Sequence, residues 1–245
     1  AKMLNKYYDA KKDGEIVDVV TLTEPYNVIG GHAFDFCHIK ELTLPDTVIR
    51  LNRFAFADCK TLKKVTLGKG IEKCGEDLIF RSGVQEIVWT KPIGEDVDEA
   101  LSSLLYGLIR EESTIFYRTG KNQLVKGKIF LNTGEAQKTF LLAYNGRSVR
   151  LPKYINNYIN MFVIQNIVHA ALASDTKEIS RSLSYRLILG TMQDFQNKTS
   201  VALELYILEG SSDAKKYLQN NAAKIAEAFA EGEDDIALSK FVSLG

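Results

Sequence analysis

Between residues 19 and 89, short apolar runs alternate with polar ones, and the pattern returns about every 22 residues. The stretches VVTLTEPYNVIGGHAFDFCHI, KELTLPDTVIRLNRFAFADCKTL and KKVTLGKGIEKCGEDLIFRSGV align with one another, and a fourth begins at QEIVWTKP. Val20, Leu42, Val65 and Ile87 are equivalent, as are Leu22, Leu44, Leu67 and Trp89 two places later. Apolar residues separated by one polar residue predict a strand with one buried face. Pro45-Asp46 and Gly68-Lys69-Gly70 then turn the chain out of the sheet. Ala33-Phe34, Ala55-Phe56 and Leu78-Ile79 form a second apolar pair on a short return segment, a brief helix or irregular coil. A fixed period in the twenties predicts a solenoid, whose units bury their apolar faces only by stacking on one another.

The pattern changes at KPIGED. Asp96, Asp98 and Glu99 precede Ala100, Leu101, Leu104, Leu105, Leu108 and Ile109. Acidic residues before apolar positions at helical spacing predict an amphipathic helix over 96–112. That helix is expected to dock on the last coil and to cover Trp89. STIFYRTG, KGKIFLNTG and KTFLLAYNG each predict a short strand, the last ending in an Asn-Gly turn. From Pro152 the chain is expected to be helical, through YINNYINMFVIQNIVHAALA, SDTKEISRSLSYRLILGTMQDF and NKTSVALELYILEG. SSD at 211–213 is an N-cap signal for the helix that follows, and Gly232 and Gly245 are candidate stops.

TLPDTVIRLNRFAFADC best, and YNVIGGHAFDFC well, match a pattern that runs roughly as strand, Pro, a Val-x-x-Ile-Gly step and Ala-Phe-x-x-Cys. This closely resembles the BspA-like class of bacterial and protist leucine-rich repeats over residues 19–90. The third copy departs, with Leu78-Ile79-Phe80 and Ser82 in place of Ala-Phe and Cys. The segment AEGEDDIALSKFVSLG faintly resembles one helix-pair step of ankyrin-type arrays. The expected class is α+β: a leucine-rich-repeat solenoid of three to four coils followed by an α-helical C-terminal domain. The expected division is an N-terminal cap over 1–18, repeats over 19–95, a helix and short-strand connector over 96–150, and a helical domain over 151–245.

Composition narrows the function classes. Lys+Arg and Asp+Glu both number 31, so no net field argues for nucleic acid or an anionic membrane. No apolar run is long enough to span a membrane. The first 20 residues lack an apolar signal core, so the expected setting is the cytoplasm or a processed or truncated surface protein. Compartment stays open at this point. Cys37, Cys59 and Cys74 fall at repeat positions and read as small core residues, with a Cys37–Cys59 disulfide conceivable.

Candidate chemistry is sparse. His32, His38 and His169 do not cluster. The glycines of VIGGH and GKGIEKCGED fit tight corners rather than a phosphate loop. Glu231, Glu233, Asp234 and Asp235 lack the spacing of a calcium loop. Asn197-Lys198-Thr199 is a glycosylation sequon by formula. No catalytic residue, metal ligand or cofactor site is expected.

The outward strand positions form two rows, Thr21, Thr43, Thr66, Val88 and Val19, Glu41, Lys64, Glu86. Glu41, Thr43, Lys64, Thr66, Glu86 and Val88 are the candidate protein-binding residues, on a concave face of the kind solenoids use. The resemblance implies a non-enzymatic, bacterial interaction or scaffold module that binds a protein or cell-surface ligand. The alternative makes the helical half a regulatory, toxin-like or phage-related effector, with the repeats as a positioning platform. A polar pocket near His169, Tyr185 and Arg186 would favour that alternative.

Overall fold

The computed structural model describes residues 1–113, 137–173, 181–231, 239 and 241–245. Two parallel sheets run up opposite sides of the repeat region, and each coil gives one strand to each. β1 (Met3–Leu4) opens the chain, followed by a hairpin of β2 (Lys11–Lys12) and β3 (Glu15–Ile16). The first coil is β4 (Val19–Thr21) and β5 (Val28–Ile29), the second β6 (Glu41–Thr43) and β7 (Arg50–Leu51), the third β8 (Lys64–Thr66) and β9 (Lys73–Cys74). The fourth begins with β10 (Glu86–Val88), and α1 (Glu99–Leu108) then takes the place of its second strand.

The register is that of the sequence repeat. Val20 pairs with Leu42, Leu42 with Val65 and Val65 with Ile87. Between the sheets lies a column of rings, Tyr7 against Phe34 at 5.5 Å and Phe34 against Phe56 at 5.9 Å. The return segments are irregular turns rather than helices. Each holds two left-handed non-glycine residues four apart: His32 and Phe36, Phe54 and Asp58, Asp77 and Arg81. That conformation costs about 1–2 kcal/mol per residue. It is compensated here because it aims backbone donors along the stack: His32 donates to the Phe54 carbonyl, Phe54 to Glu76 and Asp58 to Phe80.

The Ile-Gly corners are tight because neighbouring backbone passes close by. A Cβ on Gly75 would collide with the Arg53 backbone nitrogen. Such a contact excludes every side chain.

The chain next forms β11 (Arg110–Glu111), β12 (Thr139–Tyr144), β13 (Arg147–Pro152) and β14 (Tyr154–Ile155). β12 adds to β10 in parallel and extends the solenoid sheet, so KTFLLAYNG is a strand ending in the Asn145-Gly146 turn. β13 returns antiparallel to β12 and ends the sheet, in the order β13-β12-β10-β8-β6-β4. Trp89 is 1% exposed, and its backbone N–H donates to the Ala143 carbonyl, so on the strand side β12 continues the stack over it. The strands expected in STIFYRTG and KGKIFLNTG lie outside the described residues.

Two expectations are corrected. The helix expected over 96–112 spans only Glu99–Leu108, because Ile109 turns to extended backbone and Arg110–Glu111 pairs with β14. Asp98 is its N-cap, accepting from the Leu101 N–H. It docks as expected on the last complete coil: Ser103 Oγ accepts from the Cys74 N–H, and the Gly107 carbonyl accepts from Leu78. The second correction concerns Pro152, which closes a strand rather than opening a helix. Val149 and Leu151 alternate into the core, and proline sits on an edge strand that needs no further donor.

Regular helix begins only at α2 (Met161–Leu172), after a short 3-10 turn over Tyr158–Asn160. α3 (Arg181–Gly190), α4 (Phe195–Glu209), α5 (Ser212–Asn220) and α6 (Ala222–Glu231) follow. Asp194 caps α4, left-handed Gly210 ends it, and Ser211 caps α5, which bears out the SSD signal. Half of the ankyrin-like step at the end of the chain, Gly232 included, lies outside the described residues.

Candidate interaction face

The two predicted rows exist as drawn. Val19, Glu41, Lys64 and Glu86 are Cα partners in successive strands, as are Thr21, Thr43, Thr66 and Val88. Register partners in a sheet project to the same face. Val19 is 62% exposed, Thr21 and Glu41 are exposed, and Thr43, Lys64, Thr66, Glu86 and Val88 are partly covered. Among the described residues, no side-chain ion pair joins Glu41, Lys64 and Glu86 to one another. Their alternating charges are therefore left to solvent.

β12 and β13 carry the rows further, to Leu141 and Arg150 and to Ala143 and Ser148. There α4 meets the sheet and closes the end of the face. Arg150 Nε donates to Glu209 Oε1 at 2.9 Å, and Tyr185 donates to Glu209 Oε2 at 3.0 Å. Arg150 also reaches Thr139 Oγ1 at 3.3 Å. One turn earlier on α4, Glu204 accepts the Lys138 backbone N–H with both oxygens, at 2.9 and 3.0 Å.

The side chains around Glu204 are electrostatically strained. Burial raises the Glu204 carboxyl to about 7, although Lys153 and Arg150 pull it down. Burial lowers the Lys153 ammonium to about 8, with Glu204 opposing, and burial likewise lowers Lys138. Perturbed groups of this kind mark catalytic sites and structural ion clusters alike. Here the carboxylate is spent on backbone, which makes the cluster a seam between sheet and helices.

A second carboxylate fastens the same helix. Buried Glu112 accepts from the Gln193 N–H at 3.1 Å, the Asp194 N–H at 3.0 Å and Asn197 Nδ2 at 3.0 Å. A negative group at a helix start satisfies orphan donors and complements the helix dipole.

Neither carboxylate was singled out from the sequence. Lys138 and Glu204 are 66 residues apart and Glu112 and Asn197 are 85, so nothing local pairs them. One signal was available. Glu204 interrupts the apolar run VALELYIL, where Leu203 and Leu205 are both fully buried. A charge inside a buried stripe implies a partner.

The remaining candidates are scattered. His32 is exposed, stacks on Phe54 at 5.1 Å and lies 3.7 Å from Asp58. His38 is exposed and pairs with Asp9 at 2.8 Å. His169 bonds the Gly94 carbonyl at 2.9 Å, whereas Tyr185 bonds Glu209 and Arg186 is exposed. His169 and Tyr185 thus take different partners. Cys37 and Cys59 are buried free thiols; Cys74 is partly covered, and burial pushes its thiol up to about 12. The sequon asparagine Asn197 is buried and hydrogen-bonded to Glu112 and the Tyr154 carbonyl, so the folded chain hides it.

Glu231 ends α6, and the rest of the acidic stretch lies outside the described residues. Among the described residues no group of three or more His, Cys, Asp or Glu side chains is placed to hold a metal. No described helix is long and apolar enough to cross a membrane.

Comparison with known proteins agrees with this geometry for the repeats. A family model described as BspA type leucine rich repeat region (6 copies) matches residues 17–104. No curated protein and no solved structure matches the chain. The match includes the divergent third copy and runs into α1, which stands where the fourth coil would place its second strand. Residues 17–104 are a BspA-type leucine-rich repeat region, and the helices beyond it carry no family match.

Proposed function

We propose that the chain is a non-enzymatic protein-interaction module whose contact surface is the outer face of the six-stranded sheet. Glu41, Thr43, Lys64, Thr66, Glu86 and Val88 form that surface, and the helical half acts as the wall at its far end. The supporting observation is the pair of uninterrupted rows, in register across four coils, with charges unpaired among themselves. A partner supplying the inverse order of charges gains contacts without breaking any inside the protein. The partner class is a protein or a cell-surface ligand bearing such a strip, and the setting a bacterial one.

Capture from cells of the source organism tests this. The full chain and an E41K/K64E/E86K variant are compared, with E72K/K73E, at the four-stranded sheet of the coil, as control. A partner retained by the wild type and control but lost by the face variant is expected. Equal capture by the face variant would remove the sheet face as the site.

A further inference from the structure

Cys37 and Cys59 are 22 residues apart and hold the same place in successive coils, with their sulfurs 3.0 Å apart. Each follows a left-handed residue, Phe36 at φ 59° and Asp58 at φ 57°, so the two backbones present their side chains in the same direction. Stacked strands rise about 4.8 Å, inside the roughly 4.4–6.8 Å between Cα atoms that a disulfide spans. The column stops there. Ser82 has the equivalent place in the third coil, and its hydroxyl donates to the Ile79 carbonyl. Cys74 sits on another turn, beneath Ser103 of α1.

We propose that Cys37 and Cys59 are an oxidation site, a thiol pair that a hydroperoxide closes into a disulfide joining the first two coils. In such a pair the S–H of one sulfur eases ionisation of the other. Cys59 is accordingly held below the ordinary thiol range and Cys37 well above it. The Cys59 thiolate attacks the peroxide: an S–O bond forms, the O–O bond breaks, and the departing oxygen takes a proton to leave as water. The Cys37 sulfur then attacks Cys59 Sγ: the S–S bond forms, the S–O bond breaks, and the second water leaves with the Cys37 proton. Two thiols are oxidised and one peroxide is reduced to two waters. A dithiol reductant reverses the change by exchange.

Access is through the N-terminal end of the stack. Cys37 retains 6% exposure and Cys59 none. On that side the return segment holding Cys37 is covered by the short stretch Lys6–Asp9: Lys6 donates to the Asp35 carbonyl, Tyr7 packs on Phe34 and Asp9 accepts from the His38 N–H. A terminal coil opens more readily than an inner one, and a disulfide to the second coil would hold it closed.

Hydrogen peroxide on the full-length chain is the test, followed by denaturation, alkylation of remaining thiols and peptide mapping. The expected result is joint loss of two of the three thiols, a peptide linking Cys37 to Cys59, and a melting temperature several degrees higher. Dithiothreitol should restore all of these. C59S should yield no linked peptide, and C74A should leave the linkage intact. Three thiols still alkylatable, or Cys59 oxidised to sulfinic acid without linkage, would overturn the proposal. Because the wild-type map decides, it stands or falls even if C59S does not fold.

Discussion

The seam between α4 and the sheet predicts a particular dependence of stability on pH. The Glu204 carboxyl rises from its ordinary 4.5 to about 7 on folding, so the folded state binds a proton that the unfolded chain gives up first. A raised carboxyl adds stability that is fully present below pH 4.5 and is lost as pH climbs to 7. At about 1.4 kcal/mol per unit, the full effect is on the order of 3 kcal/mol. Lys153 acts in the opposite sense and in another window. Lowered from 10.5 to about 8, it adds stability only as pH rises from 8 towards 10.5. Together they make the seam weakest between about 7 and 8. E204Q keeps an oxygen for the Lys138 N–H but removes the titration. Urea unfolding at constant ionic strength, at half-unit steps from pH 4.5 to 9, compares the two chains. The wild type should lose about 3 kcal/mol relative to the variant between pH 4.5 and 7, and then level off. Without the Glu204 charge, the Lys153 window should also begin lower in the variant. Parallel profiles between pH 5 and 7 would show that the Glu204 carboxyl is not raised by desolvation in this seam.

Glu112→Ala strands two backbone donors and the Asn197 amide, and should cost roughly 3–5 kcal/mol in urea unfolding; a cost below 1 kcal/mol would mean that water replaces the carboxylate. Gly107→Ala places a Cβ 2.7 Å from the Gly75 carbonyl and 2.9 Å from Leu78 Cδ1. It should cost about 1–3 kcal/mol and lower hydrogen-exchange protection in α1, whereas G94A, with open space around its Cβ, should be neutral. A fragment of residues 1–92 should lack a cooperative melt by calorimetry, because Trp89 and β10 lose β12 while Cys74 and Leu78 lose α1. A sharp transition would instead show that the repeats stand alone.

The repeats were legible because a solenoid is written locally: each strand, corner and apolar pair recurs before its partner is needed. Val20, Leu42, Val65 and Ile87 could be aligned by spacing alone, and the structure pairs them in that order. Legibility ended where distant segments decide. Helical spacing continues through Ile109, yet pairing of Arg110–Glu111 with Tyr154–Ile155 stops α1, and that partner lies more than 40 residues on. Pro152 suits a helix start and an edge-strand end equally well, and only the register with Thr139 chooses between them. The carboxylates of Glu112 and Glu204 carry no local pattern at all, since the donors they satisfy are backbone groups 81 and 66 residues away.

The two ends of the six-stranded sheet are finished differently, and the difference bears on where a partner can approach. At the C-terminal end β13 reverses direction, carries Pro152, and is packed by α2, while Arg150 is tied down to Glu209 on the outer face. These are the usual means of silencing a sheet edge. At the other end β4 pairs with β6 alone, and among the described residues no strand lies on its free side. The short strand β1 covers β5, in the opposite sheet, instead. Exposure follows the same gradient: Thr21 is exposed, whereas Thr43, Thr66 and Val88 are partly covered. If the proposed face is the contact surface, a ligand along the rows would meet least obstruction at Val19 and Glu41 and most at Arg150, where α4 is tied to the sheet. An added strand could continue the ladder only beside β4. The face is thus polar in its side chains and directional in its access, with the Cys37–Cys59 thiol pair in the coils nearest its open end.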